Sequence, residues 1–248
     1  MGLFDSFKKK ANVTVAVRTE VKPTVSYSTI SAMDDIIPIE KRINGTAPTC
    51  DSLYPHEVLV LSYAEGYKTE GNSFQGFWWY KYGIKDVQAV LTKLVADGFI
   101  SIGSSADALA GQKLPELKQI LQSRDLKTSG KKADIIQRIV ENIPPEELDA
   151  LFPVKPYKRT ETGESLLRKY EWIPYIHNHS IDGLDIWNLT EMVQTPPYMK
   201  YRDKIWRHFN ELGMKYAQDR QFGLYRNSRF EMSEFLLEEH RELEVMVD

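Results

Sequence analysis

The residues best suited to chemistry lie between positions 118 and 138. Lys127, Lys131 and Lys132 flank the dipeptide Ser129-Gly130, with Arg124 and Arg138 to either side and Lys118 earlier in the chain. Ser129 is a candidate N-cap. With Gly130 it offers backbone N–H groups at a helix start, where unpaired amides and the helix dipole favour an anion. Cations around such a point suit phosphate oxygens, a contact that orients a protein on nucleic acid without reading its sequence. A second set lies on a helix expected over 85–97, where Lys85, Gln88, Ala89, Thr92 and Lys93 face outward. In a major groove, Gln pairs with adenine and Lys with guanine or phosphate. That set is thin in basic residues for base reading, and a helix of this kind serves equally to pack on a partner.

Other chemistry finds little support. His177-Asn178-His179 places two imidazoles two residues apart, a spacing that suits a metal on a strand, but no cysteine or third histidine stands nearby. Gly-rich phosphate loops, nucleophile elbows and HExxH are absent from the sequence. The expectation is therefore no catalytic residue, no metal and no small-molecule cofactor. Trp78, Trp79, Trp172, Trp187 and Trp206 read as core rather than as base-stacking platforms. Residues 198–229 interleave Lys and Arg with Tyr, Trp and Phe, which reads first as an amphipathic helix with a charged outer face.

The elements that must position the first set run over 114–143. Leu114, Leu117 and Leu121 recur at three and four residues, and Pro115 is tolerated in a first helical turn. Asp125 lies where that helix ends, and Lys127-Thr128-Ser129-Gly130 is a turn. A second helix carries Ala133, Ile136, Ile139 and Val140 inward until Asn142 and Pro144-Pro145 stop it. The expected core is Leu117, Leu121, Leu126, Ile136 and Ile139.

With Glu116-Leu117-Lys118, Arg124, Leu126, Ser129-Gly130-Lys131-Lys132-Ala133 and Ile135-Ile136-Gln137-Arg138-Ile139, the stretch 112–143 resembles a SAP domain, a small helix–loop–helix module. The resemblance implies double-stranded DNA as partner, a preference for A·T-rich duplex, and phosphate contacts from Lys118, Arg124, Lys127, Ser129, Gly130, Lys131, Lys132 and Arg138. Where the family usually has Gly, this chain has Asp125, a residue that visits the left-handed region at more cost.

Upstream, Ser52 is a candidate cap for a helix carrying Val58, Leu59, Leu61 and Tyr63, which Gly66 ends. Phe74 to Tyr80 reads as a second helix. The helix over 85–97 follows, capped by Gly98 and leading into a strand over Phe99-Ile100-Ser101-Ile102. Three helices followed by LVADGFISI resemble a winged helix, a helix-turn-helix variant. The second wing strand of that family resembles Tyr157-Lys158-Arg159-Thr160-Glu161-Thr162-Gly163-Glu164-Ser165-Leu166-Leu167, except that Arg159 replaces an apolar residue. The SAP-like stretch lies between the two wing strands, so it is expected as an insertion in the wing, at a loop tip where few backbone contacts are disturbed.

Composition sets the frame. The chain has 248 residues, is 42% apolar and carries a net charge of −3, enough apolar surface for a core. Charge is segregated: +3 over 112–143, +5 over 198–229 and −6 over 230–248. Cys50 is the only cysteine, which favours a reducing cytoplasmic compartment. No apolar run approaches the ~18 residues of a membrane span, and MGLFDSFKKK lacks the apolar centre of a secretory signal.

The expected fold class is mainly α: a winged helix-turn-helix core with a small β-hairpin wing, an inserted SAP helix–loop–helix and a C-terminal helical extension. The expected parts are an arm or linker over 1–50, in which the first ten residues are a brief amphipathic helix and Val13, Val15 and Val17 a short strand; a winged-helix-like domain over 51–103 and 153–172; the SAP-like unit over 104–152; and a helical region over 173–248, ending in a helix over 233–243 with Leu236, Leu237 and Leu243 apolar. The expected function is non-enzymatic DNA binding, in the style of bacterial or mobile-element proteins. The competing classes are an assembly protein that docks a protein partner or a second copy of itself through the winged helix and C-terminal helices, and an accessory subunit of a DNA-processing complex.

Overall fold

A computed structural model describes residues 36–247. The helix and strand expected within residues 1–17, and most of the arm expected over 1–50, lie outside the described residues. In chain order the elements are α1 (Ile39–Arg42), α2 (Pro55–Tyr63) continued by a 3-10 turn (Ala64–Gly66), α3 (Phe77–Tyr80), α4 (Val87–Ala96), β1 (Ile100–Ile102), α5 (Ser105–Ala110), α6 (Leu114–Gln122), α7 (Lys132–Asn142), α8 (Pro145–Leu151), β2 (Tyr157–Arg159), α9 (Glu161–Lys169), α10 (Trp172–Asn178), α11 (Ile186–Gln194), α12 (Tyr201–Gln218) and α13 (Phe222–Val247). The described chain is thus mainly helical.

Helix α2 is the centre of the larger core. Val58, Leu59, Val60 and Leu61 are consecutive, and all four are fully buried. A helix buried on every side needs neighbours all round, and α4, α9, α10 and α11 supply them. Ser52 does not cap α2, contrary to expectation. Asp51 takes a left-handed φ of 54°, Cys50 and Leu53 bridge across the turn, and Tyr54 becomes the N-cap. The Glu57 carboxylate accepts the Tyr54 N–H at 2.8 Å, and Pro55 occupies the first turn.

Asp86 caps α4 by accepting the Ala89 N–H at 2.8 Å, and the helix buries Val87, Leu91 and Leu94. Gly98, at φ +78°, turns the chain into β1. The two strands expected from sequence pair antiparallel, with Ile100 opposite Arg159, Ser101 opposite Lys158 and Ile102 opposite Tyr157. A third extended segment lies beside them: the Tyr157 N–H donates to the Tyr67 carbonyl at 3.1 Å, and the Thr69 N–H to the Lys155 carbonyl at 2.8 Å.

The strand–helix junction after β2 explains the pattern around Thr160. Its hydroxyl accepts the Gly163 N–H at 3.1 Å and donates toward the Gly98 carbonyl at 2.8 Å, so it ties α9 back to the end of α4. A Cβ on Gly163 would lie 2.2 Å from the Phe99 carbonyl oxygen, so only glycine fits there. Arg159, the departure from the apolar pattern, is held by Glu65 at 2.7 Å, by Glu164 and by the Ser62 carbonyl at 3.3 Å. A paired guanidinium over an aliphatic stem substitutes for the missing apolar side chain.

One continuous buried cluster runs from Ile39 through α2, α4, α9, α10 and α11 to Phe209 and Phe235 of the last two helices. Helices α12 and α13 form an antiparallel hairpin: Phe209 meets Phe235 at 5.8 Å between ring centroids, and the Arg229 guanidinium crosses Gly213. The turn between the two helices lies at residues 219–221, where Arg220 takes φ +57° and the Gln221 N–H returns to the Tyr216 carbonyl. The last helix starts at Phe222, well before the expected 233, and Leu236 and Leu237 are exposed. Among the described residues no helix is long and apolar enough to cross a membrane.

Candidate nucleic-acid interface

Helices α5 to α8 occupy the whole span between the paired strands and have a core of their own. Leu109, Leu117, Leu121, Ile135, Ile139, Ile143 and Leu148 form a buried cluster, with Ile120, Leu126, Ile136 and Phe152 packed against it. Leu117, Leu121 and Ile139 are fully buried as expected; Leu126 and Ile136 are half-buried. The expected phase of α7 is off by one position. Ala133 and Val140 are exposed and Ile135 is fully buried, because Ile135, Ile139 and Ile143 are the residues that turn toward α6 and α8. Leu114, read as part of the inner face of α6, is exposed.

Sequence reasoning missed α5 and α8. Each is too short to show periodicity, yet they contribute Leu109 and Leu148. The available signal was Ser104-x-x-Asp107, a capping box: the Ser104 N–H donates to the Asp107 carboxylate at 2.8 Å and the Asp107 N–H to the Ser104 hydroxyl at 3.2 Å. These helices also make the neck. Lys158 reaches Asp107 at 2.9 Å, and that ion pair together with the Ser104 bonds brings the Asp107 carboxyl down to about 2. Lys155 reaches both the Ser105 hydroxyl and the Asp149 carboxylate.

The loop between α6 and α7 is built from backbone geometry. Asp125 takes a left-handed φ of 58°, and the Leu126 N–H returns to the Leu121 carbonyl at 3.0 Å, closing the end of α6. Arg138 then reaches back from α7 and donates to the carbonyls of Lys127 at 2.6 Å and Ser129 at 3.2 Å. Gly130 adopts φ +133°, and Lys131, not Ser129, is the N-cap. Ser129 is two residues too early because the chain needs Gly130 to turn into the helix. The Lys131 N–H donates to the Asp134 carboxylate at 3.0 Å, so an internal anion already takes one of the amides at this helix start.

The eight residues of the first set divide by their partners. Arg138 holds the loop. Arg124 pairs with Glu147 of α8 and reaches the Ile120 carbonyl at 3.3 Å. Lys132 donates to the Ala110 carbonyl at 2.7 Å, at the end of α5. Lys118 is half-buried, while Lys127, Ser129, Gly130 and Lys131 are exposed. Among the described residues no hydrogen bond or ion pair engages the ammonium groups of Lys118, Lys127 and Lys131. Those three are the cations open to a phosphate.

The second set is committed within the protein. Gln88 donates to the Tyr157 hydroxyl at 2.7 Å and accepts from Asn72 at 2.9 Å. The Thr92 hydroxyl donates to the Gln88 carbonyl at 2.9 Å. Lys93 pairs with Glu57 at 2.9 Å and Asp97 at 3.3 Å, and Lys85 lies 5.0 Å over the Trp79 ring.

The two histidines near position 178 go separate ways. His177 sits between the hydroxyls of Tyr63 at 2.9 Å and Tyr82 at 2.6 Å, and burial pulls its pKa down to about 4. His179 stacks on Tyr175 and meets Glu238 at 3.1 Å.

The family model of the SAP domain matches residues 108–144, which takes in the end of α5, all of α6 and α7, and the loop between them. No curated protein and no solved structure matches the chain.

Proposed function

With residues 108–144 forming a SAP domain, we propose that the protein is a non-enzymatic DNA-binding protein whose SAP domain holds duplex phosphates through Lys127 and Lys131, with a further contact from Lys118 of α6. The observation that carries this reading is the division of the cations. Arg124, Lys132 and Arg138 brace the module, whereas Lys127, in the exposed α6–α7 loop, and Lys131, at the start of α7, have no side-chain partner among the described residues. Phosphate contacts of this type are general, so preference for A·T-rich duplex, implied by the SAP resemblance, enters only through the shape of the groove.

We further propose that the scaffold is a winged helix with the SAP domain inserted in its wing. The order α2, extended segment 67–69, α3, α4, β1, β2 supports this, as does the pairing of β1 with β2 across residues 103–156. The internal engagement of Gln88, Thr92 and Lys93 favours α4 as scaffold rather than base reader, which suits an assembly role for this part of the chain. A reducing cytoplasmic setting suits Cys50, whose thiol burial pushes up to about 12.

Anisotropy titration of A·T-rich and G·C-rich duplexes at several salt concentrations tests the reading. Lys127→Glu with Lys131→Glu should weaken binding to both duplexes alike and reduce the log–log salt slope by roughly 2, at about 0.9 per lost phosphate contact. Unchanged affinity and slope would move the DNA contact elsewhere.

A further inference from the structure

Helix α13 has two apolar sides. Ser228, Met232 and Phe235 are buried on the side that packs into the protein. At 100° per residue the opposite side carries Phe222, Arg226, Phe230, Ser233 and Leu237, with Glu234 at its margin. Phe222 is 67%, Phe230 63% and Leu237 55% exposed. Single exposed apolar residues are ordinary, but three large ones aligned on the outer face of one helix make a patch.

We propose that this face is an interface with a second copy of the chain, α13 lying antiparallel on α13 of the partner. The charges choose the occupant. Arg226 and Glu234 are both exposed, stand four residues before and after Phe230, and have no ion pair among the described residues. In an antiparallel pair centred on Phe230, each Arg226 meets the partner subunit's Glu234. Phe230 then meets its own equivalent, and Leu237 packs beside the partner's Phe222 and over the partner's Gly223, where no side chain obstructs it. A twofold interface has to be self-complementary in this way, with residue i meeting j and j meeting i. Parallel packing would instead set Arg226 against Arg226 and Glu234 against Glu234. Along α13 itself Arg226 and Arg229 precede Phe230 and Glu231, Glu234 and Glu238 follow it, an order of charge that favours the same antiparallel pairing.

Sedimentation equilibrium of the full chain, without DNA, tests this independently of the DNA-binding proposal. The expected result is a concentration-dependent rise from 28.7 kDa toward twice that mass. Arg226→Glu alone and Glu234→Arg alone should each weaken dimerisation by about tenfold, because each change acts twice across the twofold. The double variant, which restores opposite charges, should recover the parental dimer. Phe230→Ser should leave monomer, with an unchanged far-UV circular dichroism spectrum because the residue is exposed. A chain that stays at 28.7 kDa at every concentration overturns the proposal. A dimer indifferent to these substitutions does so too, as does a failure of the double variant to rescue.

Discussion

Leu121→Ala should unfold the SAP domain while leaving the larger core standing. Leu121 is fully buried and belongs to a cluster of only seven buried side chains, separate from the cluster around α2. Truncating a fully buried leucine costs about 2–5 kcal/mol. A core this small leaves roughly 3–5 kcal/mol of net stability. The perturbation therefore matches or exceeds what holds α5 to α8 together, whereas the neck contacts of Lys155 and Lys158 are mostly surface ion pairs, which solvent and salt screen. The tryptophans provide the assay. Trp78, Trp79, Trp172, Trp187 and Trp206 all lie outside residues 103–156. In a urea titration of the variant, far-UV circular dichroism should fall in an early step with tryptophan fluorescence unchanged, and fluorescence should then move at the parental midpoint. DNA binding should be lost with the first step. One coincident transition by both probes, at a lowered midpoint, would refute the separation of the two cores and show that the neck couples them into a single cooperative unit.

Gly163→Ala should destabilise the larger core by at least about 1–3 kcal/mol, because its Cβ would need the space 2.2 Å from the Phe99 carbonyl oxygen; a thermal melt at the parental temperature would contradict the close approach of α9 to the end of α4. Stability should fall as pH drops from about 6.5. Burial lowers His177 to about 4 and His56 to about 3, so both are neutral in the folded state while their unfolded counterparts take up protons below about 6.5. The loss has a ceiling of about 1.4 kcal/mol per pH unit for each histidine, smaller for the half-buried His177, and urea midpoints between pH 7 and 5 would show it; a flat midpoint there would rule it out.

Much of the candidate interface was readable from local chemistry. Leu117 and Leu121 set the inner face of α6, Asp125 takes a left-handed turn at the end of it, and Phe99–Ile102 declared itself as a strand by alternation, whereas Tyr157–Arg159 was found only through its resemblance to a second wing strand. Periodicity and turn geometry depend on residues a few positions apart, so the chain alone determines them. The sequence Ile135-Ile136-Gln137-Arg138-Ile139-Val140 fits two helical phases equally well, and only packing against α6 and α8 selects Ile135 and Ile139. Which cations are free to bind was likewise undecidable locally. Lys131 and Lys132 are neighbours with the same chemistry, yet the fold brings the Ala110 carbonyl to the ammonium of Lys132 and, among the described residues, no partner to that of Lys131. Arg124 is spent on Glu147, 23 residues away, and Arg159 on Glu65, nearly a hundred. An ionic side chain acts on whatever lies within a few ångströms in space, and that distance exists only once distant segments have packed together.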